Sequence, residues 1–167
     1  LLDFYESHDF LFDGVHIDIE PHALDEWKAA DDFNDGVREN LASEYLDLIE
    51  KISTQINIRN PKLIFSAASA WWFDLKFRQG VLPSGDITLL VDLLDLNVIM
   101  AYSEDVTIVQ QAAYSIEKID TIVGINVSNY KSRKALQKDL DALEDEYMDS
   151  EFYQGVSYYK YDTLIKL

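Results

Sequence analysis

The 167-residue sequence contains no cysteine, and this absence excludes several kinds of site at once. Without thiols there can be no disulfide bond, no thiolate nucleophile and no cysteine-ligated zinc centre. Basic residues are also scarce, because 14 Lys and Arg side chains stand against 31 Asp and Glu, for a formal net charge of −17. Nucleic acids and anionic membrane surfaces bind through basic patches, so neither is expected as a partner.

Long apolar runs are missing too, and no segment approaches the roughly 20 residues of a membrane-spanning helix. No signal-peptide pattern opens the sequence, and no linker or low-complexity tract divides it. The composition, 48% hydrophobic and 13% aromatic, is typical of a globular domain. We therefore expect a single domain over residues 1–167. Its composition fits the cytosol and secretion equally and leaves the compartment open.

Strand-like and helix-like segments alternate along the whole sequence. The predicted strands are 12–20, 62–70, 96–102, 121–128 and 152–159, and the predicted helices are 37–56, 86–94, 104–119 and 132–148, with helical ends at 1–7 and 161–167. Strands that alternate with helices indicate an α/β fold with a parallel sheet. The strands are apolar on both faces, as they are when helices cover such a sheet.

The first strand, FDGVHIDIEPH at 12–22, is unusual because three polar side chains occupy alternate positions in an apolar run. His16, Asp18 and Glu20 point to one face, since residues two apart on a strand lie on the same side, roughly 7 Å from each other. Burying such groups costs free energy unless they are paired or hydrogen-bonded. A purely structural strand has no reason to carry all three, so the pattern indicates a functional site with Glu20 outermost.

The ends of the other strands also carry polar and aromatic residues. These are Ser69, Trp71 and Trp72 after the second strand, Tyr102 after the third, Asn126 and Ser128 after the fourth, and Tyr158 and Tyr159 after the fifth. In (β/α) barrels the active site lies at the carboxyl ends of the strands. A structural explanation is also available, because strand ends are exposed to water and Tyr and Trp often lie at the border of a core. However, all five predicted strands end in such residues, which favours a functional site.

The segment Asp13-Gly14-x-His16-x-Asp18-x-Glu20 resembles the D-G-x-D-x-D-x-E strand motif of family 18 glycoside hydrolases, the chitinase-like enzymes. His16 stands where the family usually has an Asp. Further along, LIFSAASA, LNVIMAY and GVSYYKYD resemble the family's later strands in the same order. Tyr159 stands where the family usually has a Trp, and Ser103 follows Tyr102 where an Asp is frequent.

This resemblance implies a (β/α)8 TIM-barrel type of fold that is only partly present here. A closed barrel has eight strands and typically about 250 residues, whereas the sequence predicts five βα units. The acid-bearing strand is the fourth in the family, so the resemblance implies strands four to eight, the C-terminal portion of a barrel. We expect an open half-barrel, or closure by a second copy of the chain or by a separate N-terminal half.

The resemblance also implies a glycosidase that acts on N-acetylhexosamine-containing glycans, chitin-like or peptidoglycan-like, with retention of configuration. Glu20 would be the general acid and then the base, while Asp18 orients the substrate's own N-acetyl group and Tyr102 binds its carbonyl oxygen. Independently of the family, a carboxylic acid at a strand end suits protonation of a glycosidic oxygen. The faces of aromatic side chains stack on the apolar C–H surfaces of sugar rings. The predicted substrate-binding residues are His16, Trp71, Trp72, Asn126 and Tyr159, with Trp27 as a further stacking candidate.

Other interpretations of these residues stay open. His16 either hydrogen-bonds Asp18 or is a core histidine bonded to a backbone carbonyl. A metal site from His16, Asp18, Glu20 and His22 is less favoured, because zinc sites usually combine residues of several elements with two or three histidines. No metal or other cofactor is predicted. The domain could also bind glycan without cleaving it. Alternatively, it could be a structural part of a larger assembly in which the catalytic motif is no longer used. A glycan-degrading role fits a secreted or cell-surface location.

Overall fold

The structure of the chain is a computed structural model that describes residues 12–31, 36–73, 90 and 92–164. The strands are β1 Gly14–Ile17, β2 Ile64–Ala70, β3 Leu96–Ala101, β4 Thr121–Asn126 and β5 Tyr153–Tyr159. The helices are α1 Asp25–Ala29, α2 Val37–Arg59, α3 Ile108–Ile116, α4 Arg133–Tyr147 and α5 Tyr161–Leu164, with 3-10 turns at Pro21–Ala23 and Val127–Asn129. The predicted helical segment 1–7 and most of 86–94 lie outside the described residues. Within the described part, no helix is long and apolar enough to span a membrane.

The five strands form one parallel sheet in the order β1-β2-β3-β4-β5, which confirms the predicted α/β class. Each strand therefore pairs with its neighbour in sequence. A doubly wound sheet reverses its strand order at a switch point, and no reversal occurs in this sheet. Sequential parallel strands are the arrangement of a (β/α) barrel. The described sheet is not closed, because β1 and β5 are its two edges.

The helices begin and end where the sequence supplies the appropriate residues. Thr107 caps α3 by accepting a hydrogen bond from the backbone N–H of Gln110, and Ser132 caps α4 by accepting one from Ala135. The long helix α2 ends at Arg59, just before Pro61, which cannot continue a helix. These local signals explain why the observed helix bounds lie within a few residues of the predicted ones.

The hydrophobic core lies between the sheet and the helices and is divided into two clusters. The first joins Val15, Phe65 and Ala67 of the sheet to the buried side of α2, and the second joins strands β3 and β4 to α3 and α4. Side chains alternate along each strand, so the residues between these core positions point to the opposite face. The helices that supply these two clusters therefore pack on one face of the sheet.

We call the opposite side the open face, defined by the paired residues His16, Ser66, Leu96, Val98 and Ile122. Leu96, Val98 and Ile122 are half-exposed there, although they lie in the central strands of the sheet. In a closed barrel, side chains at these positions fill the barrel interior. The part of this face around Leu96, Val98 and Ile122 is therefore an apolar surface that the described residues leave partly uncovered.

Glycine at position 14 is required by the closeness of β1 and β2. A Cβ atom added to Gly14 would lie 2.5 Å from the backbone oxygen of Ile64, closer than real Cβ contacts allow. The oxygen belongs to the backbone and cannot move away without breaking the sheet register. The Asp-Gly pair that opens the motif thus has a packing role at the edge of the sheet.

We propose that this chain forms dimers in which a second copy covers the open face. Unpaired strand edges and exposed apolar faces favour association with another chain. We expect light scattering coupled to size-exclusion chromatography to show a mass that rises with protein concentration. Replacing Val98 and Ile122 by threonine should shift the protein toward monomer, while Ile58→Thr, on the exposed side of α2, should not. A monomer at every concentration would contradict this prediction.

Candidate functional site

A cleft of ≈ 410 Å³ lies at the carboxyl edge of the sheet and brings most of the predicted site residues together. Its lining consists of Asp18, Glu20, His22, Ala70, Trp71, Trp72, Met100, Tyr102, Ser103 and Tyr159. These residues come from β1, β2, β3, β5 and the segments that follow them. The cleft combines two carboxylates with several aromatic rings, which is a lining suited to a polar ligand with apolar faces.

The two carboxylates reach the cleft because β1 ends at Ile17 and the next residues lie between this strand and the turn that starts at Pro21. Asp18 and Glu20 follow the strand directly, and Glu20 then begins the 3-10 turn at Pro21–Ala23. The backbone N–H of Ala23 donates to the carbonyl oxygen of Glu20 at 2.9 Å, which fixes this turn. The predicted alternation therefore places both carboxylates in one cleft.

Tyr102 stands at the end of β3, and its ring stacks on Tyr159 of β5 with centroids 5.5 Å apart. The backbone around it is held firmly, since Asn129 donates its side-chain N–H to the carbonyl oxygen of Tyr102 at 2.9 Å. Burial raises the pKa of Tyr102 above its ordinary value of 10, and the charges of Asp18, Tyr159 and Glu20 raise it further. A phenol with a raised pKa stays protonated to higher pH, so Tyr102 is a hydrogen-bond donor at neutral pH.

The adjacent tryptophans both line the cleft, and each is anchored to a different part of the core. Trp71 packs against the cluster around α3 and α4, and Trp72 against the cluster around α2. Trp72 also contacts Trp27 and Phe73, with ring centroids 6.1 and 5.6 Å away. Both indoles are half-buried. Each indole therefore packs against the core and also lines the cleft.

Two predicted residues lie outside the cleft lining. His16 is on the open face below it, where its Nδ1 is 2.9 Å from the hydroxyl of Ser66. The hydrogen bond of His16 is therefore made to a serine side chain of the next strand, and not to Asp18 or a backbone carbonyl. Asn126 accepts a hydrogen bond from the backbone N–H of Ser128 at 3.1 Å and so caps the turn after β4.

Two further candidates turn out to be core residues. Trp27 is only 6% exposed and stacks on Phe73 with ring planes 16° apart, so the expectation that it stacks on sugar is wrong. Ser69 points to the helix side and donates a hydrogen bond to the buried Asn97 at 2.9 Å. Both residues are of a type that suggested a ligand-binding site, but in the fold their side chains are buried and contact the core.

The structure adds His22 to the cleft, where its Nε2 lies 3.2 Å from Oε2 of Glu20. The sequence carried a signal for it, because His22 continues the alternation of His16, Asp18 and Glu20, but the pattern did not show which partner it takes. Across the described ranges, no group of three or more His, Asp and Glu side chains is arranged to hold a metal ion.

This chain has a structural likeness to a known protein but no match among family models or curated sequences. No protein-family model matches the chain, and no curated protein matches it. Among solved structures, a chitinase from Chromobacterium violaceum ATCC 12472 is similar, with a TM-score of 0.49 and 16% sequence identity. The match covers 75% of this chain and 38% of the chitinase chain, so this chain spans well under half of that protein.

Proposed function

We propose that this domain is part of a glycoside hydrolase that cleaves N-acetylhexosamine-containing glycans by a substrate-assisted, retaining mechanism. The observation that carries the proposal is the meeting of Asp18, Glu20 and Tyr102 in one cleft with aromatic side chains. The order of motifs that resembles family 18 glycoside hydrolases supports the same conclusion.

In the first step, Glu20 donates the proton of its carboxyl group to the glycosidic oxygen as the bond to the anomeric carbon breaks. The carbonyl oxygen of the substrate's 2-acetamido group forms a bond to the same carbon from the opposite side. Asp18 orients the acetamido N–H and stabilises the positive charge that develops there. Tyr102 donates its hydroxyl to the acetamido carbonyl oxygen, which agrees with its protonated state at neutral pH.

In the second step, Glu20 is a carboxylate and removes a proton from water, which attacks the anomeric carbon and reopens the acetamido ring. Two inversions give net retention of configuration. Most glycosidases use two carboxylates, with the second one as nucleophile or base. In the proposed mechanism the acetamido group of the substrate is the nucleophile, so Asp18 needs only to orient and stabilise that group.

Glycan binding without turnover is a second candidate function. The aromatic lining of Trp71, Trp72, Tyr102 and Tyr159 favours it, because aromatic faces bind sugar rings whether or not the acid is active. Measuring binding and turnover on the same oligosaccharides separates the two functions.

We expect a strong preference for substrates with a 2-acetamido sugar at the cleaved bond. Fluorogenic N-acetylglucosamine oligomers should be turned over more than about 100-fold faster than the matching glucosides, because the nucleophile is built into the substrate. A thiazoline analogue of the cyclised intermediate should inhibit competitively. Equal turnover of both sugar classes would leave a glycosidase but contradict the substrate-assisted mechanism. Binding without any turnover would favour the second candidate.

A further inference from the structure

The side chain of His22 lies against the carboxyl group proposed as the general acid. The Nε2 atom of His22 is 3.2 Å from Oε2 of Glu20, and the two side chains are only 25% and 35% exposed. The contact is made by the 3-10 turn, in which the buried Pro21 fixes the backbone between them. This local geometry brings residues 20 and 22 together without help from another strand.

The imidazole ring is itself held in place from the other side. The ring of Trp72 lies 5.3 Å from it at 79°, an edge-to-face contact that aromatic rings favour. Behind the ring, Tyr45, Phe73 and Met100 line a small apolar pocket together with His22. The histidine is thus fixed by packing on one side and presents Nε2 to Glu20 on the other.

We infer that His22 is a positioning residue that holds Oε2 of Glu20 and leaves Oε1 facing the glycosidic oxygen. A glutamate side chain has several rotatable bonds, and general acid catalysis needs the donor oxygen within hydrogen-bond distance of the leaving oxygen. The 3.2 Å separation of Nε2 and Oε2 is within reach of a hydrogen bond, and such a bond would reduce that freedom. It would also leave the acid proton on Oε1, because Oε2 would already be an acceptor. This inference rests on the proposed function.

The neutral, Nε2-protonated form of His22 is the one that suits this role. A neutral donor orients Glu20 without adding a charge, whereas an imidazolium would favour the ionised carboxylate and so oppose protonation of the acid. The other titratable groups at the cleft are Asp18, Tyr102 and Tyr159, and Tyr45 lies behind the ring.

Two variants of His22 distinguish positioning from simple packing. His22→Gln keeps an N–H at nearly the position of Nε2 but loses the aromatic ring, while His22→Phe keeps the ring against Trp72 but loses the donor. We expect His22→Phe to lower kcat on N-acetylglucosamine oligomers by about 10- to 100-fold with little change in KM, since small displacements of a catalytic group have effects of this size. His22→Gln should retain kcat within a few-fold.

The opposite order, with His22→Phe active and His22→Gln impaired, would show that the ring only packs and would overturn the inference. Equal activity of both variants and the wild type would also overturn it. Thermal melting of both variants verifies that each is folded before the rates are compared.

A measurement on the unmodified chain separates this inference from the proposed function. Long-range ¹⁵N–¹H NMR spectra report which imidazole nitrogen carries the proton, and we expect Nε2 to carry it in His22. A proton on Nδ1 alone would overturn the inference whatever the activity. A proton on Nε2 in a chain that binds glycan without turnover would support the His22–Glu20 hydrogen bond and refute the proposed hydrolase function.

Discussion

Replacing Glu20 by glutamine is expected to abolish nearly all hydrolysis of unactivated oligosaccharides while the fold stays unchanged. Glutamine has almost the same shape, but its amide cannot supply the acid proton, and general acid catalysis typically contributes about 10²- to 10⁴-fold in rate. Because Glu20 is also proposed as the base of the second step, we expect a loss in kcat at the upper end of this range. Steady-state kinetics on N-acetylglucosamine oligomers measure it.

The identity of the leaving group provides a further check on this assignment. Aryl glycosides with acidic phenol leaving groups need little protonation, so Glu20→Gln should slow their cleavage much less than that of oligosaccharides. Glu50→Gln is a matched control, since Glu50 is exposed on α2 and is not among the residues that line the cleft. If Glu20→Gln turns over oligosaccharides at nearly the normal rate, Glu20 is not the acid.

Replacing the buried Asn97 by alanine is expected to cost the fold about 3 kcal/mol in free energy of unfolding. Asn97 is 0% exposed and joins three elements by accepting a hydrogen bond from Ser69 of β2 and donating one to Ser115 of α3. Ser115 is bonded in turn to Thr121 of β4 at 2.8 Å. The substitution removes two hydrogen bonds and leaves the buried hydroxyl of Ser69 without its acceptor, while Ser115 keeps its bond to Thr121. A buried polar group without a partner is costly.

Denaturant titration of Asn97→Ala measures this loss, and thermal melting should show a decrease of roughly 10 °C. Asn57→Ala is the matched control, because Asn57 is exposed on α2 and alanine is the better helix former there. The control should be neutral or slightly stabilising. A loss below about 1 kcal/mol for Asn97→Ala would mean that this chain of hydrogen bonds contributes little to stability.

The placement of the acidic pair was predictable from the sequence because alternation is a local property of a strand. Asp18 and Glu20 lie two residues apart, and Tyr102 and Tyr159 occupy the ends of apolar strands, so each position follows from its own segment. The strand bounds were predicted less well: β1 was expected over 12–20 but pairs with β2 only over Gly14–Ile17. Asp18 and Glu20 therefore lie beyond the paired part of β1, before the 3-10 turn that starts at Pro21.

The sequence by itself determined the class of fold, the parallel order of its elements and the face on which the carboxylates lie, because periodicity and caps act within about ten residues. Only the tertiary structure decided which side chains contact each other. His16 is hydrogen-bonded to Ser66, 50 residues away, and Trp27 is buried in the core. Asn97 joins β2 to α3 through its two side-chain hydrogen bonds. Such contacts depend on the register between strands that are far apart in sequence, and no single segment encodes that register.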